Sequence, residues 1–161
     1  MKTIIAIRAA GNKGKTQSIV AAAKRFPMIK TEYFDYYTGE CIAEPDKGLI
    51  LCKGIYEKDG AKKHVAFSSE GDYKELVTKA FDIITGKGSI MPEVMVAACR
   101  TKGGSVDAIN EFASVHGYRI VWASPYISAD PQNISALDAA YVENLNNLFA
   151  INLISLITIL L

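Results

Sequence analysis

The sequence predicts an α/β domain of three α/β/α layers, with helices on both faces of a mostly parallel sheet that carries one antiparallel hairpin. Three observations carry that expectation. An apolar run over residues 2–8 leads at once into a glycine-containing loop and an amphipathic helix. Apolar strand and amphipathic helix alternate again over residues 93–124. Two strand-like runs flank Lys58-Asp59-Gly60, a turn signal between antiparallel neighbours.

Taken in order, the first helix runs from Lys15 to about Phe26, with Ile19, Val20 and Ala23 on one face, and stops at Pro27. The aromatic segment Thr31–Tyr37 is strand-like and ends at Thr38-Gly39. Gly48–Tyr56 and Lys62–Ser69 form the two arms of the hairpin. Asp72 to about Thr85 places Leu76, Val77, Ala80 and Ile84 on one helical face. Glu93–Cys99 is a short apolar strand. Ser105–His116 is a helix, with Ser105 as N-cap and Asp107 in its first turn. Tyr118–Ala123 is the last strand, and a long helix runs from Asp138 to the C-terminus.

The chain has 161 residues, half of them hydrophobic, with no linker, repeat or low-complexity tract, so residues 1–161 are expected to form one domain. A net charge of +1, with only short lysine clusters, gives no electrostatic basis for binding nucleic acid or an anionic membrane surface. Cys41, Cys52 and Cys99 are odd in number and widely spaced. They match neither a disulfide framework nor a metal pair and are expected to act as small hydrophobes in a reducing cytoplasm. Arg8 interrupts the N-terminal apolar run too early for a signal peptide.

The loop that follows the first strand carries the chemistry. Ala9-Ala10-Gly11-Asn12-Lys13-Gly14-Lys15-Thr16 fits the spacing G/A-x-x-x-x-G-K-S/T. Wrapping a triphosphate in backbone N–H groups requires a chain with little Cβ bulk, which Gly11 and Gly14 provide. Asn12, Lys13 and Gln17 complete the phosphate-facing stretch. Lys15 is placed to reach the β- and γ-phosphates, and the Thr16 hydroxyl to ligate Mg²⁺. The N-terminus of the following helix favours the same anion. Residues 1–25 thus resemble the P-loop NTPase superfamily, with Ala9 in place of the usual first glycine. The resemblance implies Mg²⁺-dependent binding of a nucleoside triphosphate. Ala10 stands where deviant Walker A ATPases carry their signature lysine, so that class is not indicated.

Such a site needs a carboxylate at the end of a neighbouring apolar strand. His64–Phe67 breaks into Ser68-Ser69-Glu70-Gly71-Asp72, so Glu70 or Asp72 is expected to hold the metal or orient a water, with Thr16 and Asp72 as the metal residues. The alternative is that Asp72 caps the next helix and Glu70 is merely solvated. The strand Val94–Cys99 has no carboxylate at its end. It leads into Arg100, which suits a phosphoryl group, or else is a surface arginine in a glycine-rich connection. Thr101-Lys102 is followed by Gly104 where a guanine-reading aspartate would stand, which favours ATP over GTP.

Glu32 and Asp35 are acceptor-side carboxylates if the chain is a small-molecule kinase. Their aromatic neighbours Tyr33, Phe34, Tyr36 and Tyr37 are candidates for stacking on a planar substrate, or are ordinary core and edge residues. His64 and His116 match no metal spacing, Trp122 reads as core or edge, and Tyr126 is a candidate for stacking on adenine. Leu148–Leu161 is almost wholly apolar but shorter than the roughly 20 residues that span a bilayer, so burial against the sheet or in a subunit or partner interface is expected. Asn152, Ser155 and Thr158 recur along it as a narrow polar stripe. The function expected from these residues is ATP binding with hydrolysis or γ-phosphoryl transfer by Lys15, Glu70, Asp72 and Arg100. A small-molecule kinase and a non-catalytic nucleotide-binding module are the alternatives.

Overall fold

A computed structural model describes residues 1–9, 14–45, 48–86, 88–126 and 139–161. The chain is mixed α/β, with a seven-stranded sheet and four helices among the described residues. The strands are β1 (Thr3–Arg8), β2 (Lys30–Phe34), β3 (Cys41–Ile42), β4 (Leu51–Lys58), β5 (Ala61–Ser68), β6 (Val94–Cys99) and β7 (Arg119–Ala123). The helices are α1 (Lys15–Arg25), α2 (Lys74–Ile84), α3 (Gly104–His116) and α4 (Ala139–Leu160).

The strands lie in the order β3-β2-β4-β5-β6-β1-β7. β1 runs parallel to both its neighbours, β6 and β7, and β6 runs parallel to β5. β5 pairs antiparallel with β4, β4 with β2, and β2 with β3. The antiparallel part is therefore larger than the single hairpin expected. Lys30 and Glu32 alternate along β2 as exposed residues, the pattern of a strand with one wet face, which an antiparallel sheet tolerates. The two-residue β3 is too short to leave a periodic signal, and Cys41 on it is exposed, unlike the buried Cys52 and Cys99.

β2 stops at Phe34, short of the expected Tyr37. The Asp35 Oδ1 accepts hydrogen bonds from the Tyr37 and Thr38 backbone N–H groups, each at 2.8 Å, and turns the chain. The β4–β5 hairpin closes where predicted, with Asp59 and Gly60 both at positive φ as a tight type I′ turn demands.

Strand alternation sorts the core into two clusters. Ile5 and Ile7 of β1 pack with Val96, Phe67, Ile19 and Phe26 and with Phe149, Leu153 and Ile157 of α4. Ile4 and Ala6 point the other way and pack with Met95, Leu51, Val77 and Phe81 of α2 and Ile109 of α3. α1 and α4 thus cover one face and α2 and α3 the other. β1, apolar over Ile4–Ile7, and β6, apolar throughout, have strand neighbours on both edges and helices on both faces.

α4 corrects one expectation. It runs over 22 residues, and Val142–Leu160 is long and apolar enough by length and composition to cross a membrane, so shortness does not exclude a span. What places the helix is packing: Phe149, Ala150, Leu153 and Ile157 are buried against α1 and the sheet. Asn152 and Ser155 lie on its exposed side with Leu148, Ile151 and Ile159, whereas Thr158 is only half-exposed and donates back to the Ile154 carbonyl. The predicted start at Asp138 lies outside the described residues.

Candidate functional site

The site forms where the carboxyl ends of β1, β5 and β6 meet the N-terminus of α1. β1 delivers Ala9, whose N–H donates to the Cys99 carbonyl at the end of β6 at 3.3 Å. Gly14 precedes α1 in the left-handed conformation (φ 80°). Of the expected phosphate-facing residues, Gly11, Asn12 and Lys13 lie outside the described residues. Gly14, Lys15 and Thr16 are placed at the helix start, and Gln17 is exposed.

Lys15 is only 7% exposed. Its ammonium donates to the Cys99 carbonyl at 3.1 Å and lies 3.7 Å from the Asp72 carboxylate. Burial pushes its pKa down, the Asp72 charge opposes that shift, and the Arg100 charge adds to it. The Thr16 hydroxyl donates to the Ser69 carbonyl at 3.2 Å, which ties the helix start to the loop after β5.

That loop solves a topological difficulty. The strand expected to supply the carboxylate, β5, is not a neighbour of β1; β6 lies between them. Residues 69–72 lean across the end of β6 instead, and Gly71 permits it. A Cβ on Gly71 would sit 1.8 Å from the Ala98 carbonyl oxygen, so no larger residue fits without moving the backbone. The loop is held from the other side as well. Ser69 exchanges hydrogen bonds with Ile50, its N–H donating to the Ile50 carbonyl at 2.9 Å and its Oγ accepting from the Ile50 N–H at 2.8 Å. The Glu70 N–H donates to the Tyr36 hydroxyl at 3.0 Å.

Asp72 does not cap α2. Tyr73 occupies the capping position with no side-chain hydrogen bond, and the Asp72 carboxylate turns to Arg100 in an ion pair, Oδ1 3.0 Å from Nε. Arg100 is steadied by its own N–H, which donates to the buried Ser105 Oγ at 3.0 Å. Ser105 was expected at the N-cap of α3. Gly103 holds that position, the helix starts at Gly104, and Ser105 falls in the first turn, where its hydroxyl serves Arg100. Glu70 is half-buried. Its carboxyl pKa is raised first by burial and then by the Asp72 charge, with Lys15 pulling the other way.

Lys15, Glu70, Asp72 and Arg100, from three separate stretches of chain, are therefore brought together. Two cations face two carboxylates, with the Thr16 hydroxyl close by. This donor set suits an anion carrying a hard divalent cation: ammonium, guanidinium and α1 N–H groups for the anion, carboxylate and hydroxyl oxygens for the metal. Among the described residues no group of three or more His, Cys, Asp and Glu side chains forms a metal cluster.

Other candidates fall elsewhere. Glu32 and Asp35 belong to β2 and its turn, separated from β1 by β4, β5 and β6. Asp35 is consumed by its turn, and the backbone N–H groups of Thr38 and Tyr37 hold its carboxyl pKa below the ordinary value. Glu32 lines a cavity of about 250 Å³ with Lys30, Lys53 and His64. His116 packs on Phe112, and Tyr126 packs edge-on against Phe149. Trp122, partly exposed at the β7 edge, lies under the Arg8 guanidinium. Sequence reasoning missed Tyr36, Ser69 and the Cys99 carbonyl. Backbone acceptors carry no residue signature, and Tyr36 sits among aromatic neighbours that look alike in sequence. No protein-family model, curated protein or solved structure matches this chain, so the functional reading rests on the geometry of this site.

Proposed function

We propose that the chain is a P-loop NTPase of three-layer α/β/α architecture that binds Mg²⁺-ATP and hydrolyses it or transfers its γ-phosphoryl group. One observation carries the reading: Lys15, at the N-terminus of the first helix, is buried at the ends of β1 and β6, within reach of the Asp72 carboxylate that also holds Arg100. Burying an ammonium is costly unless it is paired, and Lys15 is satisfied here by one carbonyl and a carboxylate at 3.7 Å. A polyphosphate supplies the missing partners.

In this reading Lys15 and the N–H groups opening α1 neutralise charge on the β- and γ-phosphates. Arg100, released from Asp72, meets charge that develops on the transferred group. Thr16 and Asp72 would hold Mg²⁺, which would supply Lewis-acid neutralisation of phosphate charge. Glu70, the carboxylate with the raised pKa, orients the attacking water and accepts its proton. The hydrolysing reading is preferred to the kinase alternative because Asp35, one of the two acceptor-side carboxylates, is engaged by its own turn.

The test is equilibrium binding of ATP and GTP with Mg²⁺ to the wild-type and Lys15→Ala proteins. The expected result is Mg²⁺-dependent binding that prefers ATP and weakens by about 10- to 100-fold in the variant, the worth of one charged hydrogen-bonding partner. Equal affinity in the two proteins overturns the reading.

A further inference from the structure

Tyr36 lies outside every motif in the sequence, yet its hydroxyl is the most connected side-chain oxygen near the site. Tyr36 is buried, at 6% exposure. Its Oη donates to the Ile50 carbonyl at 2.8 Å. With that single proton committed, the oxygen accepts twice, from the Ser68 hydroxyl at 3.1 Å and from the Glu70 N–H at 3.0 Å. One oxygen thus joins the turn after β2, the residue before β4 and the loop after β5.

The third bond is the one that bears on chemistry. Glu70 is followed by Gly71, which is pressed against the Ala98 carbonyl. With Tyr36 on one side and β6 on the other, the Glu70 backbone is clamped between two fixed surfaces. Clamping the backbone sets the direction in which the Glu70 carboxylate leaves the loop, and small misplacements of a catalytic group cost large factors in rate.

We propose that Tyr36 is a positioning residue that holds Glu70 in the orientation it needs to act on the attacking water. This rests on the nucleotide-hydrolysing reading above. Tyr36 touches neither the phosphates nor the metal, so its hydroxyl governs turnover and leaves nucleotide affinity alone. Ser68 bonds the same hydroxyl, whereas the bond to the Glu70 backbone comes from Tyr36.

The test compares Mg²⁺-ATP turnover and Mg²⁺-ATP affinity in wild type, Tyr36→Phe, Ser68→Ala, Glu70→Gln and the Tyr36→Phe/Glu70→Gln double variant. Tyr36→Phe keeps the ring and removes only the hydroxyl. Its kcat is expected to fall by about tenfold or more, with the dissociation constant for Mg²⁺-ATP changing by less than about twofold. Ser68→Ala turns over at the wild-type rate. In the Glu70→Gln background, Tyr36→Phe changes kcat by less than about twofold, since the group it positions is already gone.

Additive losses in the double variant overturn the proposal, as does an equal loss in Ser68→Ala. A Tyr36→Phe protein that does not fold shows a purely structural hydroxyl and also overturns it. Wild-type turnover that Lys15→Ala abolishes and Tyr36→Phe leaves intact overturns the role of Tyr36 alone. Absence of nucleotide binding by wild type overturns the underlying reading and this role with it.

Discussion

Asp72 forms an ion pair with Arg100 across the ends of β5 and β6, Oδ1 to Nε 3.0 Å, and the same oxygen stands 3.7 Å from the Lys15 ammonium. One carboxylate therefore bridges two cations that would otherwise repel. Asp72 and Arg100 are 38% and 39% exposed, so solvent screens the pair and its worth to folding is small. Its significance is positional: it keeps two anion-binding groups aimed at one point.

Asp72→Ala loses little through the screened Arg100 pair but takes a partner from the buried Lys15 ammonium, so a cost of about 1–3 kcal/mol is expected. Mg²⁺-dependent ATP turnover falls by about 100-fold or more, because the same substitution removes a metal oxygen and frees Arg100 from its place. Thermal melts alongside steady-state rates check this. A large loss of stability with turnover retained would contradict the assignment.

Gly71→Ala inserts a methyl group where the Ala98 carbonyl oxygen already sits. The expected cost is about 3 kcal/mol, the upper end for overpacking, since backbone must move on one side or the other. Urea denaturation measures it. The displaced loop carries Glu70 and Asp72, so turnover is lost together with stability.

Glu70→Gln tests the raised carboxyl pKa through stability. A carboxyl whose folded pKa exceeds its ordinary value of 4.5 destabilises the fold when ionised. That penalty is absent at pH below 4.5, grows as pH rises from there through the folded value, and persists above it. The glutamine variant is therefore expected to be more stable than wild type at pH 7, with the difference closing as pH falls below 4.5. Denaturation curves at several pH values give the answer, and a pH-independent difference would exclude Glu70 as the perturbed group.

α4 offers a paired test. Ile157 is fully buried between α1 and the sheet, and Ile157→Ala is expected to cost about 2–5 kcal/mol. Ile159, two residues on, is 77% exposed, and Ile159→Asn is expected to stay within about 0.5 kcal/mol. Similar effects at both positions would mean that α4 does not dock in this orientation.

Much of this arrangement is legible in the chain itself. The apolar run, glycine loop and amphipathic helix at residues 3–25 are local signals, set by hydrophobic period and by backbone freedom over a few residues. So is the β4–β5 hairpin, written into Lys58-Asp59-Gly60. Lys15, Glu70, Asp72 and Arg100 could each be singled out because charged residues at the ends of apolar strands stand out against their surroundings.

Only the tertiary structure decided what those residues do to one another. Strand order is a property of the whole sheet, and it puts β6 between β1 and the strand that leads to Asp72. Whether Asp72 caps a helix or meets Arg100 depends on a glycine passing close to the Ala98 carbonyl, a contact between residues far apart in sequence. Tyr36, the Ser69 carbonyl and the Cys99 carbonyl join the site by the same long-range route. Period and turn chemistry act over a few residues and so can be read along the chain. Strand pairing and backbone acceptors gain meaning only when distant segments meet.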